Sequence, residues 1–268
     1  MRTPVITFVV FSICMILISG FWPNLSSVVL PNTTWGLYSK KFFEDLLVGA
    51  HGTIIDLFVV GIVLYWFEQR TQSREQAAKK ESERSSAITR HKEALGDLRY
   101  YNGSDAPYRT LSTMKRLMAL KVHDFSCPEA NLAETNIEDF SFKNANMHAV
   151  NFSHAKLSKI TMIDCACDAG IFTNSKLQHI SLTNVSFNRA KFCGADLPGI
   201  NFTSCSIQRA DFTNANLKSA VFKGVDCKGV NFTNANLRSA NFKGAQNLTQ
   251  EMLQTAKSIE YIVIDALP

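Results

Sequence analysis

The sequence of 268 residues has no dense basic stripe, and its formal net charge of +5 is mild. A nucleic-acid binder concentrates lysine and arginine on one face, so this balance argues against nucleic acid as a partner. An even cysteine framework is also missing. The seven cysteines are irregularly spaced, with Cys14 in an apolar run and Cys127, Cys165, Cys167, Cys193, Cys205 and Cys227 further on. That excludes the disulfide scaffold of a small secreted domain and fits a reducing compartment. No glycine-rich phosphate loop appears, and no serine, histidine and aspartate stand in triad order. The apolar content of 46% allows a buried core, but it is unevenly spread, which divides the chain into segments suited to different solvents.

Charge is absent from Pro4 to Trp22, a run of nineteen residues. As a helix it reaches about 29 Å, close to the thickness of the hydrocarbon layer. A cleaved signal peptide is the alternative, but only Arg2 precedes the run, and Ile18-Ser19-Gly20 is a poor cleavage site. A second apolar stretch, Leu46 to Phe67, contains His51 and Asp56 and closes on Tyr65 and Trp66, as an interfacial aromatic belt does. Arg70, Arg74, Lys79, Lys80 and Arg84 follow it, while the 23–45 segment has only Lys40 and Lys41 beside Glu44 and Asp45. The positive-inside rule then places the N-terminus and everything after residue 68 in the cytoplasm, with 23–45 outside. An anchor over 1–67 with two transmembrane helices is the expectation. Asp56 and His51 are candidate functional groups because ionisable residues at membrane depth often are. They lie about 140° apart on a helix and so do not form one site within it. The plainer alternative puts His51 at the interface and has Asp56 bonding within a helix pair or oligomer.

Residues 68–107 form a connector. Over 68–99 acids and bases alternate at helical neighbour spacings, as on a solvated helix continuing the second span. Ile88, Leu95 and Leu98 offer at most a short apolar seam. Tyr100 to Ser104 reads as a turn. Residues 108–124 then hold a short amphipathic helix, with Leu111, Met114, Leu117, Met118 and Leu120 on its apolar side. Terminal units of stacked repeats need covering, and this helix is placed to cap one.

From Leu132 to Phe242 every fifth residue is apolar, twenty-three positions without an insertion. A helix needs a period of 3.6 and a strand a period of two, so neither explains it. The residue two before each is small or apolar, among them Ala130, Ala145, Ala190, Ala215 and Ala240. Each five-residue unit therefore points two side chains inward and three outward. Sorting the inward series by twenty separates it into columns. One is Phe152, Phe172, Phe192, Phe212 and Phe232. Another is Leu157, Leu177, Leu197, Leu217 and Leu237. A third runs from Phe142 to Phe242, and a fourth mixes Cys127, Met147, Cys167, Phe187, Ile207 and Cys227. A ten-residue turn would mix leucine with phenylalanine, so column purity selects four units per turn.

In this register, with Leu or Phe at the centre and Ala two residues before it, residues 125–246 resemble the pentapeptide-repeat family. The resemblance implies an all-β solenoid, a right-handed quadrilateral β-helix with one unit per face. About six coils at about 4.8 Å make a rod about 28 Å long. Residues 247–268 form a C-terminal cap, and Asn247 to Ala256 resemble the short helix that often closes such rods. The N-terminal part, with Ala50-His51-Gly52, Asp56 and Gly61, resembles bacterial members anchored by two helices, which implies the inner membrane. Some members imitate DNA, which needs an acidic surface. Between His123 and Gln246 there are ten acids and twelve bases, which argues against that role.

Cys165 and Cys167 both fall on inward positions without a neighbouring histidine, so they read as packing rather than as a zinc site, which takes four ligands. Cys193 faces outward and is the repeat cysteine placed to react. His148, His154 and His179 fall on outward or corner positions. No catalytic residue, metal ligand or cofactor is expected. The function expected is a non-enzymatic, membrane-anchored scaffold presenting a cytoplasmic solenoid to a protein partner. The alternative is an oligomeric channel or transporter regulator built around the anchor. Expected partners are the lipid bilayer, a cytoplasmic or membrane protein, and further copies of the chain.

Overall fold

The computed structural model describes residues 2–29 and 39–265. The middle of the 23–45 loop and the last three residues of the C-terminal cap lie outside the described residues. The chain divides into two compact units, Met1–Glu81 and Ser82–Pro268.

In the first unit, α1 spans Arg2–Gly20 and α2 spans Trp22–Val29. The helix expected over Pro4 to Trp22 falls on α1 as far as Gly20; at the end of that run the chain bends by 74° between Phe8–Gly20 and Trp22–Val28. Pro23 has no backbone N–H to donate and is suited to the first turn of a new helix, so the chain restarts there rather than continuing α1. Helix α3 runs unbroken from Lys40 to Asp97, 58 residues. No proline falls between residues 32 and 106, and the charged stretch continues the apolar one without a break. Among the described residues α3 is long and apolar enough to cross a membrane; α1 and α2 reach that length only as one bent span.

The second unit is a β-solenoid with a helical cap. Parallel pairing joins residues twenty apart over most of its length: Ser126 with Asn146, Asn151 with Ile171, Asp196 with Asn216, and Val221 with Asn241. Each coil donates from the central apolar residue to the coil above, as from Phe212 N to Asn231 O at 2.8 Å, and receives from it, as from Asn231 N to Ala210 O at 3.0 Å. Inside, the rings stack. Phe192 lies 4.9 Å from Phe212 with planes 6° apart, and Phe222 lies 4.8 Å from Phe242, also at 6°. Rings from adjoining columns meet edge to face, as Phe212 does Phe222 at 6.1 Å and 80°. Stacking within a column and T-contacts between columns are both favourable for aromatic quadrupoles.

The corners dictate the rest of the motif. Two residues after each central position the backbone turns left-handed, from Glu129 (φ 58°) to Asn214 (φ 61°) and Gly244 (φ 73°). Asparagine, aspartate and glycine recur there, and no valine, isoleucine or threonine does, because a branched Cβ collides with the backbone in that conformation. The following residue closes the turn on the central one, as Ala215 N does on Phe212 O at 2.9 Å. A small side chain suits that tight closure. Along one corner this residue is large through Phe140, Ile160, Ile180 and Ile200, before Ala220 and Ala240 restore the small form, although Ile200 already closes a tight turn on Leu197 O at 3.3 Å. There the strands β1 (Asn136–Lys143) and β2 (Lys156–Ile163) carry on across the corner, bending at left-handed Asp139 and Lys159, and β3 (Lys176–Gln178) with β4 (Ser181–Thr183) makes the change to tight turns. One corner departs from the pattern: Ser204 has no left-handed φ, and its hydroxyl accepts from Asn184 N and donates to Leu182 O.

Both ends are covered. Helix α4 (Ala106–Ala119) buries Thr110, Leu111, Met114 and Leu117. The last turns of α3 join that cap. Leu95 is buried, with Ala87, Ile88, His91, Ala94 and Leu98 partly so. Arg84 donates to Leu120 O at the carbonyl end of α4, Lys92 lies 3.9 Å from Asp124, and Arg99 grips Glu129 through two nitrogens at 2.6 and 3.1 Å. The sequence reading made this stretch a solvated connector with a sparse seam; its small and polar docking residues hide that face. At the other end α5 (Gln250–Gln254) is capped by Thr249. The repeat reading stops at Gln246, but the ladder resumes beyond α5, pairing Asn236 with Ser258 and Asn241 with Val263. The offset there is twenty-two because the helix takes up two extra residues.

Two outcomes follow from this packing. Phe212→Ala lowers unfolding free energy by about 3–5 kcal/mol in chemical denaturation, and an unchanged midpoint contradicts the ring stack. Asn214→Val costs about 1–2 kcal/mol through backbone strain, while Asn214→Gly is tolerated.

Candidate interaction surfaces

The residues singled out from the sequence fall in three settings. Phe152, Leu157, Phe172, Leu177, Phe192, Leu197, Phe212, Leu217, Phe232 and Leu237 are all buried in the solenoid. His51 and Asp56 stand on α3 in the other unit. The His51 ring bonds to Leu47 O at 2.7 Å, and Asp56 is exposed among exposed Ile55, Leu57 and Phe58. Among the described residues no second ionisable group bonds to either. His148, His154 and His179 are exposed, the last two at left-handed corners.

Most of the solenoid cysteines are shielded from solvent. Cys127, Cys165, Cys167 and Cys227 are buried. Burial pushes the Cys127 and Cys227 thiols up to about 12 and holds Cys167 well above its ordinary value. Cys193, expected to be reactive, is only partly exposed, and its thiol donates to Asp211 Oδ2 at 3.2 Å. Partial burial and that carboxylate raise it to about 11, so little of it is the nucleophilic thiolate at neutral pH. Among the described residues no three histidine, cysteine, aspartate or glutamate side chains gather as a metal site.

The outer wall is more ordered than its composition suggests. The residue before each central position is often asparagine or aspartate, whose side chain accepts the amide two residues on. Asn201 does so for Thr203, Asp211 for Thr213, and Asn231 for Thr233, each at 3.0 Å. These are local side-chain turns that fix the strand before each corner. Burial would raise the Asp211 carboxyl, but donors from Thr213, Cys193 and Asn231 outweigh it and hold it below its ordinary range.

On one face these bonds link coil to coil. Asp168 Oδ1 accepts from the Ser186 hydroxyl and from Asn188 N. Asn188 Oδ1 accepts from Ser206 at 2.6 Å and from Gln208 N at 3.0 Å. Gln208 Nε2 donates to Asp226 Oδ2 at 2.7 Å, and Asn247 Nδ2 donates to Asp226 Oδ1 at 2.7 Å. The Asn247 amide, followed by those of Lys228 and Gln208, holds the Asp226 carboxyl below its ordinary range. Beside this polar spine lies a groove of about 530 Å³ lined by His148, Asp168, Ala169, Asn188, Arg189, Gln208 and Arg209. Sequence reading missed it, although sorting the corner residues by twenty places Ala149, Ala169, Arg189, Arg209 and Gly229 in one column.

Residues 135–212 match the family model for the pentapeptide repeat region, and residues 210–246 match that for pentapeptide repeats (8 copies). No curated protein matches the sequence. Three solved structures illustrate the likeness. QnrB1, a plasmid-mediated fluoroquinolone resistance protein, is 15% identical over 53% of this chain and 93% of its own, with a TM-score of 0.30. HetL of Nostoc sp. strain PCC 7120, involved in heterocyst differentiation regulation, is 16% identical over 57% and 93%, with a TM-score of 0.23. Rfr23 of Cyanothece 51142 is 18% identical over 58% and 99%, with a TM-score of 0.23.

The buried thiols make stability depend on pH. Folded Cys127 and Cys227 keep their protons to about 12, against an ordinary value of 9.0. The folded chain then binds more protons than the unfolded one above about pH 9, so stability falls as pH rises through that value. The thermal midpoint is expected to be flat to about pH 8 and to drop beyond 9. Cys127→Ala with Cys227→Ala reduces that alkaline slope, whatever it does to the midpoint itself, while Cys167 and the other raised thiols keep the remainder.

Proposed function

We propose, from the premise that the chain belongs to the pentapeptide-repeat family through residues 135–246, that it is a non-enzymatic scaffold held on a membrane and presenting its solenoid to a protein partner. The carrying observation is the outer wall itself. From Ser126 to Val263 the backbone is paired coil on coil, and its exposed amides and carboxylates are tied into one another across coils. Such a surface loses little conformational entropy on binding, which favours recognition by a preformed face.

Anchoring rests on α3, whose residues Ile55 to Phe67 expose a nearly continuous apolar surface, with Trp66 and Arg70 in cation–π contact at 5.0 Å where the charged stretch begins. Lysine and arginine crowd the following turns, and this supports a cytoplasmic solenoid in a bacterial inner membrane, with α1 and α2 supplying a second, bent span. The alternative, an oligomeric channel or transporter regulator with the solenoid as its cytoplasmic domain, is favoured by one feature: Asp56 is exposed within the apolar length of α3, where further copies of the chain would shelter it.

Crosslinking in the native membrane separates the two. A soluble partner captured by the full chain and lost from a version ending at residue 122 is the outcome for a scaffold. Self-crosslinks that survive that deletion, together with loss of function when an unrelated two-helix anchor replaces residues 1–67, favour the alternative and make Asp56→Asn the next variant.

A further inference from the structure

The groove beside the polar spine has an unusual balance of groups. Arg189 and Arg209 occupy the same corner of successive coils, about 4.8 Å apart in rise. Neither guanidinium has a hydrogen-bonding or ion-pair partner among the described residues, and both residues are exposed. Like charges stacked on neighbouring strands are unfavourable, and among the described residues no carboxylate forms an ion pair with either. Asp168 spends Oδ1 on Ser186 and Asn188, and both oxygens of Asp226 are taken by Asn247, Gln208 and the Lys228 amide.

The neighbouring corners make room for this pair. Ala169 keeps the groove floor low. On the other side, a Cβ at Gly229 would stand 3.2 Å from Arg209 Cγ, so glycine there lets the arginine stem lie along the corner. Gly229 also has φ +68°, but the corner itself does not demand glycine, since asparagine, serine, histidine and arginine take that backbone elsewhere along the solenoid.

We infer that this groove binds an acidic peptide segment of the partner protein. This deepens the scaffold reading and rests on it. The two guanidinia offer forked donors for carboxylates. Asp168 Oδ2 and Gln208 Oε1 make no hydrogen bond among the described residues, so the groove also offers two acceptors. An extended peptide brings both complements, side-chain carboxylates and backbone N–H groups. A nucleic-acid backbone brings phosphates but no N–H donor for Asp168 Oδ2.

The test uses the full chain in detergent micelles, with fluorescein-labelled octaglutamate as probe and an oligothymidylate of equal charge as competitor. Anisotropy is expected to report saturable octaglutamate binding that the oligothymidylate displaces poorly. Arg189→Gln with Arg209→Gln is expected to weaken binding by about tenfold or more. Lys223→Gln with Lys243→Gln removes the same charge from another face and leaves binding unchanged. Gly229→Ala weakens it with no change of charge, the thermal midpoint serving as the check on folding. Absence of octaglutamate binding, equal loss from both charge-matched pairs, or tighter binding of the oligothymidylate overturns the inference. If the arginine double variant keeps a crosslinked partner that the solenoid deletion loses, the groove assignment falls and the scaffold reading stands.

Discussion

Each coil of the solenoid must return over the one below after twenty residues, in register, because its backbone groups find partners in the neighbouring coils. An amide left unpaired beneath the next coil would be buried without a partner, at a cost of about 1–3 kcal/mol. That requirement leaves a core only two inward side chains wide per face, and it spaces the rings at the coil rise. Phe172 and Phe192 meet at 4.7 Å and Phe192 and Phe212 at 4.9 Å, which is both the strand spacing and a good stacking distance. Backbone ladder and aromatic ladder thus enforce the same period. The helical caps follow from it, since a coil at either end exposes the core that α4 and α5 cover.

The same constraint organises the outside. Side chains twenty residues apart become neighbours, so one polar choice in a coil is read by the next. Asp168, Asn188, Gln208 and Asp226 form a chain of acceptors and donors because they share or adjoin one column. Arg189 and Arg209 become a pair for the same reason. A surface made this way is fixed without a loop having to fold against it.

The solenoid was legible because its units repeat from Leu132 to Phe242 without an insertion, and because leucine and phenylalanine columns stay separate when sorted by twenty. What the sequence concealed lies where that count is interrupted or where contact residues are not distinctively apolar. Helix α5 adds two residues, so the pairing of Asn241 with Val263 is invisible to a strict period. The docking face at the end of α3 is built from Ala87, His91 and Ala94 as much as from Ile88 and Leu95, and its tethers are the charges Arg84, Lys92 and Arg99, which by spacing read as a solvated helix. The bend after α1 rests on Pro23, one residue beyond the apolar run that marked the span. The change from continuous strands to tight corners is not announced by residue type, since Ile160 lies within a strand and Ile200 in a tight turn. The arginine groove emerges only when the corner residues are read down the rod instead of along the chain.

The most direct test of the twenty-residue coil is disulfide formation between introduced cysteines. Val221 pairs with Asn241 in register, which sets residues 223 and 243 side by side on one face. Lys223→Cys with Lys243→Cys should oxidise to an intrachain bridge, since stacked positions fall within the reach of about 4.4–6.8 Å between Cα atoms that a disulfide spans. Lys218→Cys with Lys243→Cys, twenty-five apart, places the thiols on different faces and should not bridge. Mass spectrometry of the digested, oxidised chains reads both. A bridge at twenty and none at twenty-five is the expected result; a bridge at twenty-five, or none at twenty, contradicts the coil.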